Sequence, residues 1–292
     1  MHVVINLNKP KGISSHQAVT QVKRISGVKK AGHAGTLDPM ATGILLVCVG
    51  EATKITRFLS DLDKEYLTVM KLGEKTDTYD AEGTVVQRNE AFSLEEKDVE
   101  SVLAGFRGTI EQVPPMFSAL KMSGEPLYSL ARRGIVVERA GRSVTVYRME
   151  ITGFSLPYVE MKISCSKGTY VRSLCNDIGE ALGVGAHVTS LQRTRIGQFR
   201  IENSVTIDEL RESQAAAGNA LVSIDEALGH MREIILDETD FSRVRNGLSV
   251  RQPASNLPQG GFVRLKDPCG HLFAVGRVFE STVKMERMLH LS

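Results

Sequence analysis

Cysteine is scarce in this chain and forms no pattern: Cys48, Cys165, Cys175 and Cys269 stand far apart, with no C-x-x-C pair. Structural zinc wants closely spaced ligand pairs, and a secreted scaffold wants a denser cysteine framework. Both are set aside, and four buried or semi-buried thiols are expected. Long apolar runs are missing too. The longest, residues 44–49, falls well short of the ~20 residues a membrane-spanning helix needs. The opening MHVVINLNKPKG has no basic stretch leading into an apolar core and a cleavage site, so a cytoplasmic location is the default expectation. Neither G-x-x-x-x-G-K-[ST] nor G-x-G-x-x-G marks a phosphate-cradling loop. No cofactor and no metal are expected.

Charge is also nearly absent in sum, at +2 over 292 residues, yet it is unevenly spread. Residues 1–60 hold eight Lys/Arg against Asp38 and Glu51, and residues 61–100 reverse this with twelve acidic against five basic. Residues 121–148 return to six basic against Glu125 and Glu138. A weak total can hide basic surfaces suited to phosphates, although an ordinary solvated surface fits the charge alone equally well. With 42% hydrophobic and 24% charged residues, the chain reads as globular, and at this length it buries roughly 75% of its unfolded surface without a staple.

Periodicity suggests a mixed α+β fold with a substantial antiparallel sheet. Residues 3–7 read as a strand ended by Lys9-Pro10-Lys11-Gly12, and Ser14-Ser15 offers an N-cap to a helix over 16–25. Residues 32–43 are too rich in Gly, Thr, Asp and Pro for regular structure, and run into an apolar strand at 44–49. Strands are expected at 66–72 and 84–87, with a capping box at Ser93 and Glu96 opening a helix to about Ala104. A short helix at 127–133, alternating strands within 143–165, an amphipathic helix at 170–182 and a strand at 188–195 follow. Residues 212–230 read as a connector. Beyond it, glycine turns at Asn246-Gly247, Gly260-Gly261 and Cys269-Gly270 suggest a small β-rich module. The division expected is 1–228, with an insertion at about 121–148, and 231–292.

The densest chemistry lies in GHAGTLDPMATG, residues 32–43. It sets Asp38 on a turn that Pro39 restricts, near His33, with glycines that let a substrate approach the backbone. The plain alternative is an Asx-turn, a common fate of Asp-Pro.

This stretch resembles the GTLDP-x-ATG signature of the TruB family of tRNA pseudouridine synthases. Further matches follow in the family's order: Asn8-Lys9-Pro10-Lys11-Gly12, Lys64-Glu65-Tyr66, Leu72-Gly73 with TDTYDAEG at 76–83, SKGTYVRSL at 166–174, and Leu191-Gln192-Arg193-Thr194. They extend over roughly the first 195 residues, with Asn8 a departure where the family has Asp.

The resemblance implies a pseudouridine synthase core with a large antiparallel sheet flanked by helices, and a small C-terminal β-rich PUA-like module. It implies isomerisation of uridine 55 in the T-loop of tRNA, a reaction that needs no metal, nicotinamide or triphosphate. The stacked base must be flipped out, at about a few kcal/mol. Asp38 would attack sugar or base, or act as a base at C2′; the residues do not choose. Arg172 would pair with and aim Asp38, a task suited to a planar guanidinium. Tyr66 would stack on the uracil and carry a proton, Leu191 would line the pocket, and Tyr170 would pack beside the aspartate. His33 would fill the space the uridine leaves, Lys9 would support the pocket, and Asp80 would contact or order the RNA. Each also has a plain structural reading, as core, turn or solvated surface. The basic stretch 121–148, with Arg132, Arg133, Arg139 and Arg142, would be an RNA-gripping loop that orders on binding. The expected partner is tRNA, held by its T-arm and by its acceptor stem through the C-terminal module, with no membrane and no obligate protein partner, the chain acting as a monomer. Two rivals stand beside this reading: the catalytic subunit of an RNA-guided pseudouridylase, and a tRNA-folding chaperone.

Overall fold

In the strand Thr42–Val49 every residue from Gly43 onward is buried, and its alternation divides them between two cores. Leu45, Val47 and Val49 face one cluster with Ile5, Leu7 and helix residues Ala18, Val19 and Val22. Ile44, Leu46 and Cys48 face a second, with Val4, Phe58 and Leu59. Each fully buried side chain of this kind contributes about 1.5–3 kcal/mol, so the strand is fixed from both sides. The computed structural model describes residues 1–122, 124–212, 218–251 and 258–291.

The strand lies inside a ten-stranded sheet whose main path runs Leu221–Ser223, Val3–Lys9, Thr42–Val49, Ala186–Ile196, Lys64–Leu72, Tyr158–Cys165, Arg142–Ser155, Gly108–Gln112. Neighbours on the path are antiparallel, apart from one parallel contact that sets Gln192 opposite Thr42 and Arg193 opposite Gly43. Only a glycine serves there: a Cβ on Gly43 would stand 2.3 Å from the Arg193 carbonyl oxygen, and its φ is +97°. The α+β expectation holds, with the sheet mixed at this one junction.

Because Ala186–Ile196 meets Thr42–Val49 only at its start, the rest of that buried edge needs another partner for its peptide groups. Ala31–Ala34 supplies it, pairing His33 with Val47. This corrects the expectation that residues 32–43 hold no regular structure; the true loop is 35–41.

Helices Ser15–Ser26, Glu96–Ala104 and Val171–Ala181 cover the first core. Ser14 caps the first in a reciprocal box with Gln17. The second is capped differently from expected: Asp98 accepts the Glu95 backbone N–H at 2.7 Å, two residues beyond the Ser93–Glu96 box. Two acidic side chains thereby sit in the first turn, where the helix dipole favours them.

The C-terminal sheet runs Arg232–Ile235, Phe262–Lys266, Leu272–Phe279, Thr282–Met288, Val250–Arg251. It carries a helix, Glu238–Arg245, that its glycine turns concealed. The residues read as a connector are less free than expected. Residues 213–217 lie outside the described residues, but Leu221–Ser223 joins the edge of the large sheet and Ile224–Ala227 is helical. Leu272, Val275 and Leu289 share the second core with Ile44 and Leu46. Arg57 stacks over Phe58 and Phe262, and Lys54 donates to the Met288 carbonyl at 3.0 Å.

The basic stretch is only partly loop. Lys121–Met122 pairs with Glu125–Pro126, Leu127–Arg132 is helical, and from Arg142 the chain is already in the large sheet. Cys269 is exposed, unlike the buried Cys48, Cys165 and Cys175. Among the described residues, no helix is long and apolar enough to cross a membrane.

Candidate active site

Asp38 owes its position to side chains that grip its flanks. Ser15 Oγ accepts from the Leu37 N–H at 2.8 Å and donates to the Leu37 carbonyl at 2.9 Å. Gly12 N donates to the Pro39 carbonyl at 2.8 Å, and Ala41 N to the Asp38 carbonyl at 3.1 Å. Arg193, 2% exposed, donates to the carbonyls of Gly35, Thr36 and Ile44 at 3.1, 3.2 and 2.8 Å. A fixed backbone leaves the Asp38 carboxylate little freedom of its own.

Arg172 removes what remains. From the first turn of Val171–Ala181 its Nε donates to Asp38 Oδ2 at 2.8 Å and its Nη2 to Asp38 Oδ1 at 3.0 Å, a two-pronged contact in one plane. Nη1 donates to the Thr78 carbonyl at 2.9 Å and Asp80 Oδ2 at 3.1 Å, and Nη2 also to the Phe117 carbonyl at 2.7 Å. All five guanidinium donors are thus matched. The side chain of Arg172 is 4% exposed, while that of Asp38 is 29% exposed.

The open edge of Asp38 faces a cavity of about 320 Å³ lined also by Arg172, Tyr66, Leu191 and Tyr170. Tyr66 and Leu191 come from neighbouring strands, Lys64–Leu72 and Ala186–Ile196. Burial pushes the Tyr66 hydroxyl above its ordinary range, against the opposing charge of Arg193, which keeps it a neutral phenol. Lys64 also lines the cavity, its ammonium donating to the Ser60 and Leu62 carbonyls. Burial, with the Arg193 charge adding to it, lowers Lys64 to about 8.

Three expected residues lie outside this cavity. Lys9 is wholly buried beneath the loop, its three donors on the carbonyls of Pro10, Ile13 and Pro39 at 2.8, 2.8 and 3.4 Å. Burial lowers it to about 8 despite the nearby Asp38 charge. Asp80 is 4% exposed and spends its Oδ1 on the Thr78 hydroxyl and the Glu82 N–H, its Oδ2 on Arg172. Asp80 thereby anchors the arginine from behind. The turn that carries it is tight enough to put Tyr79 at φ +64°. His33 lies on Ala31–Ala34, its Nδ1 buried without a partner, and burial lowers its pKa.

Arg193 and Ser15 were missed as site residues. A strand arginine and a helix-start serine carry no local sign of what they grip, and only the register of Arg193 opposite Gly43 reveals it. For a metal, the described residues bring together Asp267, Cys269 and His271 in a turn of the C-terminal sheet. There Asp267 Oδ1 is already bonded to the Cys269 and His271 N–H groups.

A lone carboxylate locked by a buried arginine, facing an aromatic and an aliphatic wall, is the arrangement the motifs implied. The sequence matches the profile described as TruB family pseudouridylate synthase (N terminal domain) over residues 23–171. It matches the tRNA pseudouridylate synthase B C-terminal domain over 172–237. This chain belongs to the TruB family. Among its relatives, the tRNA pseudouridine synthase B of Clostridium tetani is 46% identical over 86% of both chains. That of Chromohalobacter salexigens is 48% identical over 90% of this chain and 86% of its own. Solved structures similar in fold include a Cbf5-Nop10-Gar1 complex, with TM-score 0.78 and 28% identity over 98% of this chain and 84% of that one. An H/ACA RNP bound to a substrate RNA containing 2′-deoxyuridine has TM-score 0.77 and 25% identity over 99% and 85%. The two TruB profiles meet between Val171 and Arg172, so the aspartate and its arginine come from different matched segments.

Proposed function

We propose that this TruB-family chain converts uridine 55 in the T-loop of tRNA to pseudouridine, with Asp38 as the reacting carboxylate. The observation that carries the proposal is the two-pronged Arg172–Asp38 contact at the wall of a cavity sized for one extruded base. Among the described residues, Asp38 is the only carboxylate lining that cavity.

The reaction breaks the N1–C1′ bond, turns the uracil, forms C5–C1′ and moves the C5 proton, so nothing is gained or lost overall. Extruding the base costs about a few kcal/mol, which contacts in the cavity must offset. Tyr66 stacks on the uracil, and its neutral phenol can relay a proton as C5 loses its hydrogen, its oxygen accepting one while its O–H gives another away. Leu191 closes the pocket against water. Arg172 and the bonded loop hold Asp38 in its reacting geometry before the base arrives, so little reorganisation remains for the chemical step. Asp80 and Lys9 act behind this arrangement as positioning residues, and His33 enters the space the uridine vacates.

Residues 1–228 form the catalytic unit in this reading, and 231–292 a PUA-like module on the acceptor stem. The excursion rich in Arg132, Arg133 and Arg139 grips the T-arm. The protein works as a cytoplasmic monomer in this reading. The folds of the H/ACA complexes keep a second reading in view, a guide-dependent enzyme. One experiment separates them: purified protein is given unmodified tRNA carrying tritium at uracil C5. Release without guide RNA, mapped to the T-loop and abolished in Asp38→Asn, supports the proposal. Release only with guide RNA and partner proteins overturns it.

A further inference from the structure

The strand Gly108–Gln112 ends the large sheet, and only its last residue is buried. That residue is an amide. Gln112 is 2% exposed, donates from Nε2 to the Tyr170 carbonyl at 3.0 Å and accepts at Oε1 from the Tyr170 N–H at 2.8 Å. It does for Tyr170 what a neighbouring strand does, pairing both peptide groups at once. An apolar side chain would fill the same space and satisfy neither.

Tyr170 is a sensitive place to hold. It lines the cavity and is the N-cap of Val171–Ala181, in extended conformation (φ −99°, ψ 104°) and with no cap from its own side chain. Arg172 follows two residues later. Gln112 is also the neck of the basic excursion: its backbone is paired with Arg142, so residues 113–141 leave and return beside it. Two more bonds tie that neck to the same helix start. Ser173 Oγ donates to the Val113 carbonyl at 3.2 Å, and Arg172 Nη2 to the Phe117 carbonyl at 2.7 Å.

We infer that Gln112 is a positioning residue of the isomerisation, its buried amide joining the neck of the basic excursion to the Asp38–Arg172 pair through Tyr170. When the excursion engages RNA, the neck keeps the Tyr170 backbone and the Phe117 carbonyl in register, and Arg172 retains its full set of acceptors. The inference rests on the proposed tRNA activity, and its test has an arm that does not.

Gln112→Met keeps the side-chain length and removes both bonds; Gln112→Glu keeps the acceptor and removes the donor. The bound-state rate constant is read at saturating tRNA, affinity by filter binding, and folding by thermal melting. For Gln112→Met the expectation is a rate at least about tenfold lower, equivalent to about 1.4 kcal/mol, with affinity nearly unchanged. Gln112→Glu, still folded by melting, should fall in between. An unchanged rate in a folded variant overturns the inference, as does a loss confined to affinity. Amide exchange at residues 170–174 tests the clamp whether or not the wild type turns over. Faster exchange in Gln112→Met is expected, and unaltered exchange overturns it. An inactive wild type with a working clamp would count against the tRNA activity alone.

Discussion

Arg172 commits every hydrogen it can donate, and that completeness makes it irreplaceable in a way a surface arginine is not. Lysine presents one point charge where five acceptors are fixed. In Arg172→Lys, Asp38 should lose its aim while Asp80 stays buried with an unmatched oxygen. Removing one partner of a buried pair typically costs about 3–5 kcal/mol, so a lower melting temperature and a collapse of tritium release are both expected. Asp38→Asn should separate the two effects. The amide keeps the shape but can accept only one of the two Arg172 bonds, so melting should fall less than in Arg172→Lys while tRNA binding stays close to wild type. Its release rate should drop at least about a thousandfold, roughly 4 kcal/mol. Normal turnover in that variant would remove Asp38 from the chemistry.

Lys9 makes a prediction about pH. Burial lowers it from 10.5 to about 8, so the folded chain gives up a proton the unfolded chain still holds. Below about 8 the cost of burying the charge is present in full. As pH rises from about 8 towards 10.5 that cost is relieved, and stability climbs with it. Urea melts at pH 7.5 and 10 should therefore show the wild type gaining on Lys9→Met. Equal shifts in both would mean that the lysine is not held against its ordinary protonation. The identities of Asp38, Tyr66, Arg172 and Leu191 were legible because their motifs recur as short strings. The burial of Lys9 and Asp80 was not, since burial is a property of the neighbours and leaves no mark on the residue.

At the scale of elements, local pattern revealed what is locally determined. The capped helix Ser15–Ser26, the apolar strand Thr42–Val49 and the alternating pair Arg142–Ser155 and Tyr158–Cys165 all stood in the sequence with their periods intact. Ala31–Ala34 was hidden because the unpaired edge of another strand draws it into the sheet, against the weak strand preference of its alanines and glycine. The insertion of Ala186–Ile196 between Thr42–Val49 and Lys64–Leu72 was equally unreadable, because register across such separations has no local signal. That insertion hangs on Gly43. Gly43→Ala would drive a methyl into the Arg193 backbone at a φ that L-residues avoid. Overpacking of this kind costs about 1–3 kcal/mol or more, and the displaced strand carries both Leu191 and Arg193. Loss of stability together with loss of rate is expected, read by melting and tritium release; a neutral outcome would contradict the close contact.

For the whole molecule, the β-rich C-terminal region was legible from its turns, but its attachment was not. Leu272, Val275 and Leu289 complete a core that begins at Val4 and Ile44. A chain cut after residue 228 should therefore expose that face and aggregate. Calorimetry of the intact protein should show one transition instead of two. A soluble, active fragment would mean the shared core is dispensable. Binding should weaken with salt, and replacing both Arg132 and Arg133 with alanine should flatten the salt slope by about one to two. An unchanged slope would take the excursion off the RNA.

The path of the sheet has a consequence for synthesis on the ribosome. Thr42–Val49 and Lys64–Leu72 are made early and adjacent in sequence, yet the strand that separates them is Ala186–Ile196. Until that stretch emerges, the growing chain holds two half-sheets whose facing edges must not zip together, and the loop of Asp38 waits without Arg193, which grips it. An emerging protein with open strand edges is vulnerable to its neighbours. This enzyme therefore cannot mature progressively from its N-terminus. Its sheet closes and the Asp38 loop gains its Arg193 grip in one late event, when the wedge strand arrives.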